Sequence, residues 1–375
     1  MQPWIAEHGA AVGDRAAHEL TALVGISSPS GDVAGAEACL ALCAGLLPSQ
    51  ADCERIPCAS PGHAPDLVAR LRGAGTRRVL LLGHVDTVIA HDAHRPLKDS
   101  GDGTLVGSGS VDMKGGVVLS LGVMRALAER PDDYAEVALL LVCDEEWRRV
   151  PFAHVERFSG FDACLCFEGG ERSGEDDAVV VMRKGAATVR IDATGRSSHS
   201  GSAPDAGRNA LLALAAAAQA VAACHAPEGE HRLTAVPTVL QAGDAFNVVP
   251  GAGRLLCDLR ADDASAFQTV LDAIPAEHAG VRLEATVLRM WPGMDSRDQT
   301  RALLERASGR LGRPIVGAPR GGASDASHFA ATIAVTVDGL GPRGGAAHNP
   351  EEYVVAASLH ERAEVALALV DALLA

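Results

Sequence analysis

Four short runs of this 375-residue chain are almost wholly apolar, and patterns of helical type separate them. They are RVLLLG (78–83), EVALLLVC (136–143), DACLCF (162–167) and IAVTV (333–337). A strand that is apolar at every position offers no face to water, so it must be covered above and below. KGGVVLSLGVMRALAER (114–130), closed by Pro131, and an Ala/Leu-rich stretch at 356–375 read as covering helices. Residues 14–25 read as an amphipathic helix, SSPSGD (27–32) as a loop that starts another, and a Pro/Gly-rich loop leads to residue 78. The alternation predicts an α/β fold built on a mostly parallel sheet. Aromatics make up only 3% of the chain, so Ala, Val and Leu must fill the core.

The middle of the chain follows another rule. AATVRIDATG (186–195) alternates apolar and polar residues, as does a strand with one wet face. A strong helix pattern (205–224), TAVPTVLQAG (234–243), GRLLCDLRA (253–261), a helix near 263–274 and VRLEATVL (281–288) complete the order βαββαβ. That order predicts a ferredoxin-like sandwich. We expect residues 185–289 to form this smaller domain, inserted into a larger discontinuous one of residues 1–184 and 290–375.

A net charge of -15 argues against nucleic acid and against anionic membrane surfaces as partners. No apolar run is long enough to span a bilayer. The first twenty residues lack a basic start followed by an apolar segment, so no secretory leader is expected. The nine cysteines are scattered without a Cys-x-x-Cys pair, which suits buried reduced thiols, among them Cys164 and Cys166. A cytoplasmic location is the default expectation.

The apolar runs end alike. The first leads to His84 and Asp86, two residues apart and so on one side of an extended chain. The second runs into Asp144, Glu145 and Glu146, and the third ends at Glu168. The last leads through DGLGPRGGAAHNP to His348, and the glycine-rich SGSVDMKGG sets Asp112 before a helix. A single acid after a strand is ordinarily a loop or helix cap. In a parallel sheet, however, these ends share one edge. Crowded carboxylates would take up protons unless cations neutralised them. Two divalent ions solve this, and imidazole with carboxylate suits zinc, with cobalt or manganese as alternatives. Glu145 and Glu146 are adjacent and point different ways, so one can bind metal while the other faces substrate. Asp144 reads as a structural cap.

In this order and spacing, GHVDTV, GSGSVDMKGG, CDEEW, FEGG, GRSSHSGSAPDAGRNA, NVVP, DLR, GGASDA and GGAAHNPEEYV resemble the co-catalytic zinc peptidases and amidohydrolases. That family includes carboxypeptidase G, succinyl-diaminopimelate desuccinylase, acetylornithine deacetylase and aminoacylase. The resemblance implies a dizinc exopeptidase domain with an inserted dimerisation lid, and hence a homodimer. It implies one zinc on His84 and Glu168, another on Glu146 and His348, and Asp112 bridging them. Asp86 would orient His84, and Glu145 would be the general base beside a zinc-bridging hydroxide. It also implies a cis Asp112–Met113 peptide. His199 would reach a partner's site and stabilise the oxyanion, while Asn247, Arg260 and Gly322 would contact substrate.

The implied reaction is hydrolysis of an amide next to a free carboxylate, in an N-acyl amino acid or a short peptide. The alternatives are a dipeptidase or glutamate carboxypeptidase of the same fold, or a non-hydrolytic metal-bound dimer. Two departures bear on the substrate. Where carboxypeptidase G has Arg-x-Arg-Pro, this chain has Arg289-Met290-Trp291-Pro292, and Glu146 is followed by the bulky Trp147-Arg148-Arg149. Trp147 and Trp291 are therefore expected to shape the pocket.

Overall fold

The computed structural model describes residues 1–375. The chain divides into two compact units, one of Met1–Met182, Asp295–Arg320 and Ser324–Ala375, the other of Arg183–Met294 and Gly321–Ala323.

The first unit is built on a six-stranded sheet. Its strands are β1 (Asp52–Ile56), β2 (Asp66–Arg72), β3 (Arg77–His84), β4 (Tyr134–Val142), β5 (Ala163–Cys166) and β6 (Val335–Val337), in the order β1-β2-β4-β3-β5-β6. From β4 to β6 every pairing is parallel. The four apolar runs of the sequence are these four strands, so their carboxyl ends lie along one edge. β1 and β2 extend the other side antiparallel, a feature the sequence pattern did not predict. Arginines interrupt the apolar pattern of β2, and Arg70 finds Glu136 at 3.0 Å and Glu54 at 2.9 Å on neighbouring strands.

Alternation along the strands makes two buried faces. Val79, Leu81, Leu139 and Leu141 join the large core with helices α1 (Pro3–Val24), α3 (Gly115–Leu127) and α5 (Ala356–Leu374). Leu80, Leu82 and Leu140, on the opposite face, are equally buried. Between these helices in sequence are α2 (Val33–Leu46) and α4 (Arg297–Leu311). α1 begins well before residue 14, because Ile5, Gly9 and Val12 continue its buried stripe and Pro3 suits the first helical turn. Asp32 caps α2 by accepting the Gly35 N–H at 2.8 Å.

The second unit is an antiparallel sheet with two helices. Strands Thr234–Ala242, Ala252–Ala261, Gly185–Thr194 and Val281–Trp291 lie side by side in that order. This is the ferredoxin-like arrangement. Val189, Ile191, Leu255 and Leu259 pack with Leu214 and Val221 of helix Ala210–Ala223 and with Phe267 and Val270 of helix Phe267–Ala273. The first of these helices starts at Ala210, later than its apolar pattern suggests, because the Asn209 side chain accepts the N–H groups of Leu211 and Leu212.

No helix is long and apolar enough to cross a membrane. All nine cysteines are free, and Cys164 and Cys166 are buried.

One close approach governs how the first unit presents its strand ends. At Gly116, in the first turn of α3, an added Cβ would lie 1.7 Å from the carbonyl oxygen of Phe167, the residue before Glu168. Only glycine allows α3 to meet the end of β5 there. Gly116→Ala is expected to cost about 3 kcal/mol of stability, the upper range for overpacking, read as a lowered thermal unfolding midpoint. An unchanged midpoint would contradict this packing.

Candidate functional site

His84 is the last residue of β3, and it is buried. Its Nε2 lies 3.1 Å from Asp112 Oδ1 and 3.7 Å from Glu168 Oε1. His348 Nε2 lies 3.2 Å from Asp112 Oδ2 and 3.3 Å from Glu146 Oε2. The two oxygens of one carboxylate thus face two different imidazoles. Two three-donor groups result, His84–Asp112–Glu168 and Asp112–Glu146–His348, each with its donor atoms within 4.8 Å of one another. Nitrogen and carboxylate donors in two sets that share a carboxylate fit a pair of divalent cations. The Asp112–Met113 peptide is cis, and His348 has a φ of 65°, uncommon for a residue with a Cβ.

The groups behind these donors are as ordered as the donors. His84 Nδ1 meets the backbone carbonyl of Asp86 at 3.0 Å, with the Asp86 carboxylate at 3.4 Å. The Asp86 carboxylate also accepts the N–H groups of Glu145 (3.2 Å) and Glu146 (3.1 Å). Asp86 therefore fixes both the first imidazole and the turn that carries the two glutamates. Glu352, four residues beyond His348, accepts the N–H groups of Gly109 (2.9 Å), Val111 (2.7 Å) and Asp112 (2.8 Å). Lys114 is buried and donates to the carbonyls of Leu23 (3.2 Å) and Ile26 (2.6 Å), tying the same turn to the end of α1.

Proton affinities follow from this crowding. Burial alone would lower the His84 pKa, but hydrogen bonds to Asp112 and Asp86 prevail and hold it well above its usual value. Hydrogen bonds to Asp112 and Glu146 push His348 up to about 10. Burial would raise Asp112, yet its bonds to His348 and His84 bring it below the usual carboxylate range. Burial pushes Glu145 well above its normal value, and the charges of Asp325, Glu168 and Glu146 add to this. A carboxylate with raised proton affinity suits a proton acceptor. Burial also lifts Glu352, to about 7.

The remaining residues singled out by the sequence belong to the second unit. His199 lies on a two-stranded ribbon, Ser198–His199 with Val248–Val249, and is exposed. Its Nδ1 accepts the N–H groups of Gly201 (3.1 Å) and Ser202 (3.2 Å), which leaves the proton on the outward Nε2. Asn247 adjoins this ribbon, and its carbonyl accepts the Ser200 N–H at 3.0 Å. The Arg260 fork is engaged by Asp258 of its own strand, at 3.0 and 3.2 Å. The Gly322 carbonyl accepts from Arg183 at 2.8 Å.

One expectation needs correction. Trp291 is only 2% exposed, and the Arg289 guanidinium lies 4.6 Å from its ring centroid. An apolar ring at this position packs inward, so Trp291 does not form an exposed surface for substrate. Trp147, by contrast, is 55% exposed. Glu352 and Asp325 were not singled out from sequence, and Arg148 stood out only as part of the bulky Trp147-Arg148-Arg149. Glu352 lies within the quoted GGAAHNPEEYV motif, but an acid four residues after a candidate ligand carries no signal of its own.

Residues 80–372 match the profile of Peptidase family M20/M25/M40. Among curated proteins, carboxypeptidase G2 of Pseudomonas sp. (strain RS-16) is 27% identical, covering 81% of this chain and 76% of its own length. Succinyl-diaminopimelate desuccinylase of Halorhodospira halophila is 30% identical, covering 76% and 81% respectively. A tripeptidase structure from Staphylococcus aureus superposes with a TM-score of 0.80 at 20% identity, over 96% of this chain and 98% of that one.

Two outcomes follow from the geometry. Glu352→Ala frees three N–H groups of the Asp112 turn, and zinc affinity measured by chelator competition should fall about 10–100-fold. Wild-type affinity would show that the turn holds its shape unaided. Hydrogen bonds to Asp112 and Glu146 raise the proton affinity of His348, so a cation taken up at its Nε2 would displace a proton. Zinc affinity should therefore rise with pH and binding should release protons, which calorimetry in buffers of different ionisation heat detects. Uptake without proton release would contradict this.

Proposed function

The chain belongs to peptidase family M20/M25/M40 and is an enzyme, a metallo-hydrolase; from that premise we infer that it cleaves an amide bond next to a free carboxylate, in an N-acyl amino acid or a short peptide. The observation that carries this reading is the Asp112 carboxylate facing His84 with one oxygen and His348 with the other. His84 and Glu168 would hold one zinc ion, Glu146 and His348 the other, and Asp112 both. Bound there, the two ions would polarise the amide carbonyl and acidify water.

The chain's own groups account for the rest of the chemistry. Glu145, buried and of raised proton affinity, accepts a proton from the attacking water and delivers it to the departing amine. The new C–O bond forms first and moves the carbonyl electron pair onto oxygen. The pair then returns as the C–N bond breaks, and the amine leaves with the proton from Glu145 while the acyl group leaves as a carboxylate. Asp86 keeps His84 in the orientation that presents Nε2 and fixes the backbone of Glu145. His199, with its proton on Nε2, donates to the developing oxyanion, in this reading from the partner subunit of a homodimer joined through residues 185–289. Arg260 receives the substrate carboxylate by exchanging Asp258 for it, with Asn247 and Gly322 as further contacts.

The relatives' names include a carboxypeptidase and a desuccinylase, so both peptides and acylated amino acids belong in a substrate panel, run with zinc, cobalt and manganese in turn. On whichever substrate is turned over, Glu145→Gln should lower kcat by about 10²–10⁴-fold with metal content unchanged. A Glu145→Gln enzyme of undiminished kcat would refute the assigned proton route.

A further inference from the structure

Arg148 stands two residues beyond Glu146, and its side chain is 1% exposed. A buried guanidinium is costly unless its donors are met. Here Nε and Nη2 donate to Asp144 Oδ1 at 3.0 and 2.7 Å. Nη2 also donates to Asp325 Oδ2 at 2.9 Å, and Nη1 to Asp325 Oδ1. The guanidinium carbon lies 4.2 Å from the centroid of Phe152. The second oxygen of Asp144 accepts the Ser60 N–H at 3.0 Å.

This arrangement encloses the two glutamates. Asp144 and Arg148 are four residues apart, and their bond closes a ring through Glu145, Glu146 and Trp147. Asp86 holds the same turn through its backbone N–H groups. The Asp325 bond then ties the turn to a segment 177 residues away. Asp325 is buried. Arg148 is the cation that faces it.

We propose that Arg148 is a positioning residue for the reaction: its fork fixes the turn that carries Glu145 and Glu146 and neutralises the buried Asp325 to which it ties that turn. The proposal rests on Glu145 as the proton acceptor. A plain structural staple would make the same contacts but would affect only the amount of folded enzyme. A positioning residue alters turnover in enzyme that is folded and metal-loaded.

The test uses the full-length, zinc-loaded protein with Arg148→Met, Arg148→Lys, Asp325→Asn and the double variant Arg148→Met/Asp325→Asn. Zinc content, melting temperature, kcat and KM are measured on each. Arg148→Met should lower kcat about 10–100-fold, with KM within about threefold and zinc retained, as expected when a reacting group is misplaced. Arg148→Lys, which keeps charge without the fork, should recover part of that loss. The double variant should exceed Arg148→Met in kcat, because it removes one of the two charges, those of Asp144 and Asp325, that the single variant leaves without a cation. Wild-type kcat in folded, zinc-loaded Arg148→Met overturns the proposal, and a double variant no faster than the single one overturns its charge-compensation half. Should Arg148→Met not fold, Arg148→Lys decides: reduced kcat with KM and zinc retained supports the proposal, and wild-type kcat overturns it. An active Glu145→Gln enzyme instead removes the premise, which separates that failure from a failure of Arg148.

Discussion

Repulsion among buried carboxylates at the carboxyl edge of the parallel strands is the constraint that the rest of the first unit answers. Asp86, Asp144, Glu145, Glu146, Glu168, Asp325 and Glu352 are all buried there, with Asp112 among them. Two like charges 4 Å apart cost about 4 kcal/mol even in a medium of effective dielectric 20. Such a cluster persists only if each charge has a specific answer, and the answers differ. Asp86 and Glu352 are met by backbone N–H groups, Asp144 and Asp325 by Arg148. Asp112 and Glu146 face imidazoles. The acids whose oxygens converge on His84 and His348 form the donor groups that suit divalent cations.

That division explains why so many loops are fixed by distant partners. The Asp112 turn is shaped by Glu352, and the Glu145 turn by Asp86 and Arg148. Each donor group thus inherits its spacing from bonds made behind it. Donors preset in this way cost little reorganisation when an ion arrives, which is the general advantage of such support.

Much of this was legible in the sequence, for a definite reason. β3 to β6 are apolar on both faces, so each polar residue at a strand end stands out, and His84, Asp112, Glu146, Glu168 and His348 do lie together. The order βαββαβ likewise gave the second unit, because one wet face leaves an alternating trace. β1 and β2 escaped notice because arginines interrupt the apolar pattern of β2, one of which, Arg70, pairs with acids on adjacent strands. Glu352 and Asp325 escaped because their partners lie about two hundred residues away, and a lone acid says nothing of such a partner. Trp291 stood out by comparison with a related motif, but a tryptophan in place of an arginine follows its apolar surface into the core.

The Asp144–Arg148–Asp325 triad also bears on why a fold keeps buried charge. Well-packed apolar residues in place of a buried ion triad often leave a protein as stable or more so, so stability alone does not account for this one. An apolar trio could fill the same volume, but it would offer no directional bonds. The turn between residues 144 and 148 would then be set by shape, which tolerates slip. A guanidinium fork permits one geometry, and it spans two segments at once. Charge adds a further reason. Without the guanidinium, Asp144 and Asp325 would be two buried carboxylates with no cation between them. The guanidinium answers both acids at once, apart from the imidazoles and carboxylates of the two donor groups.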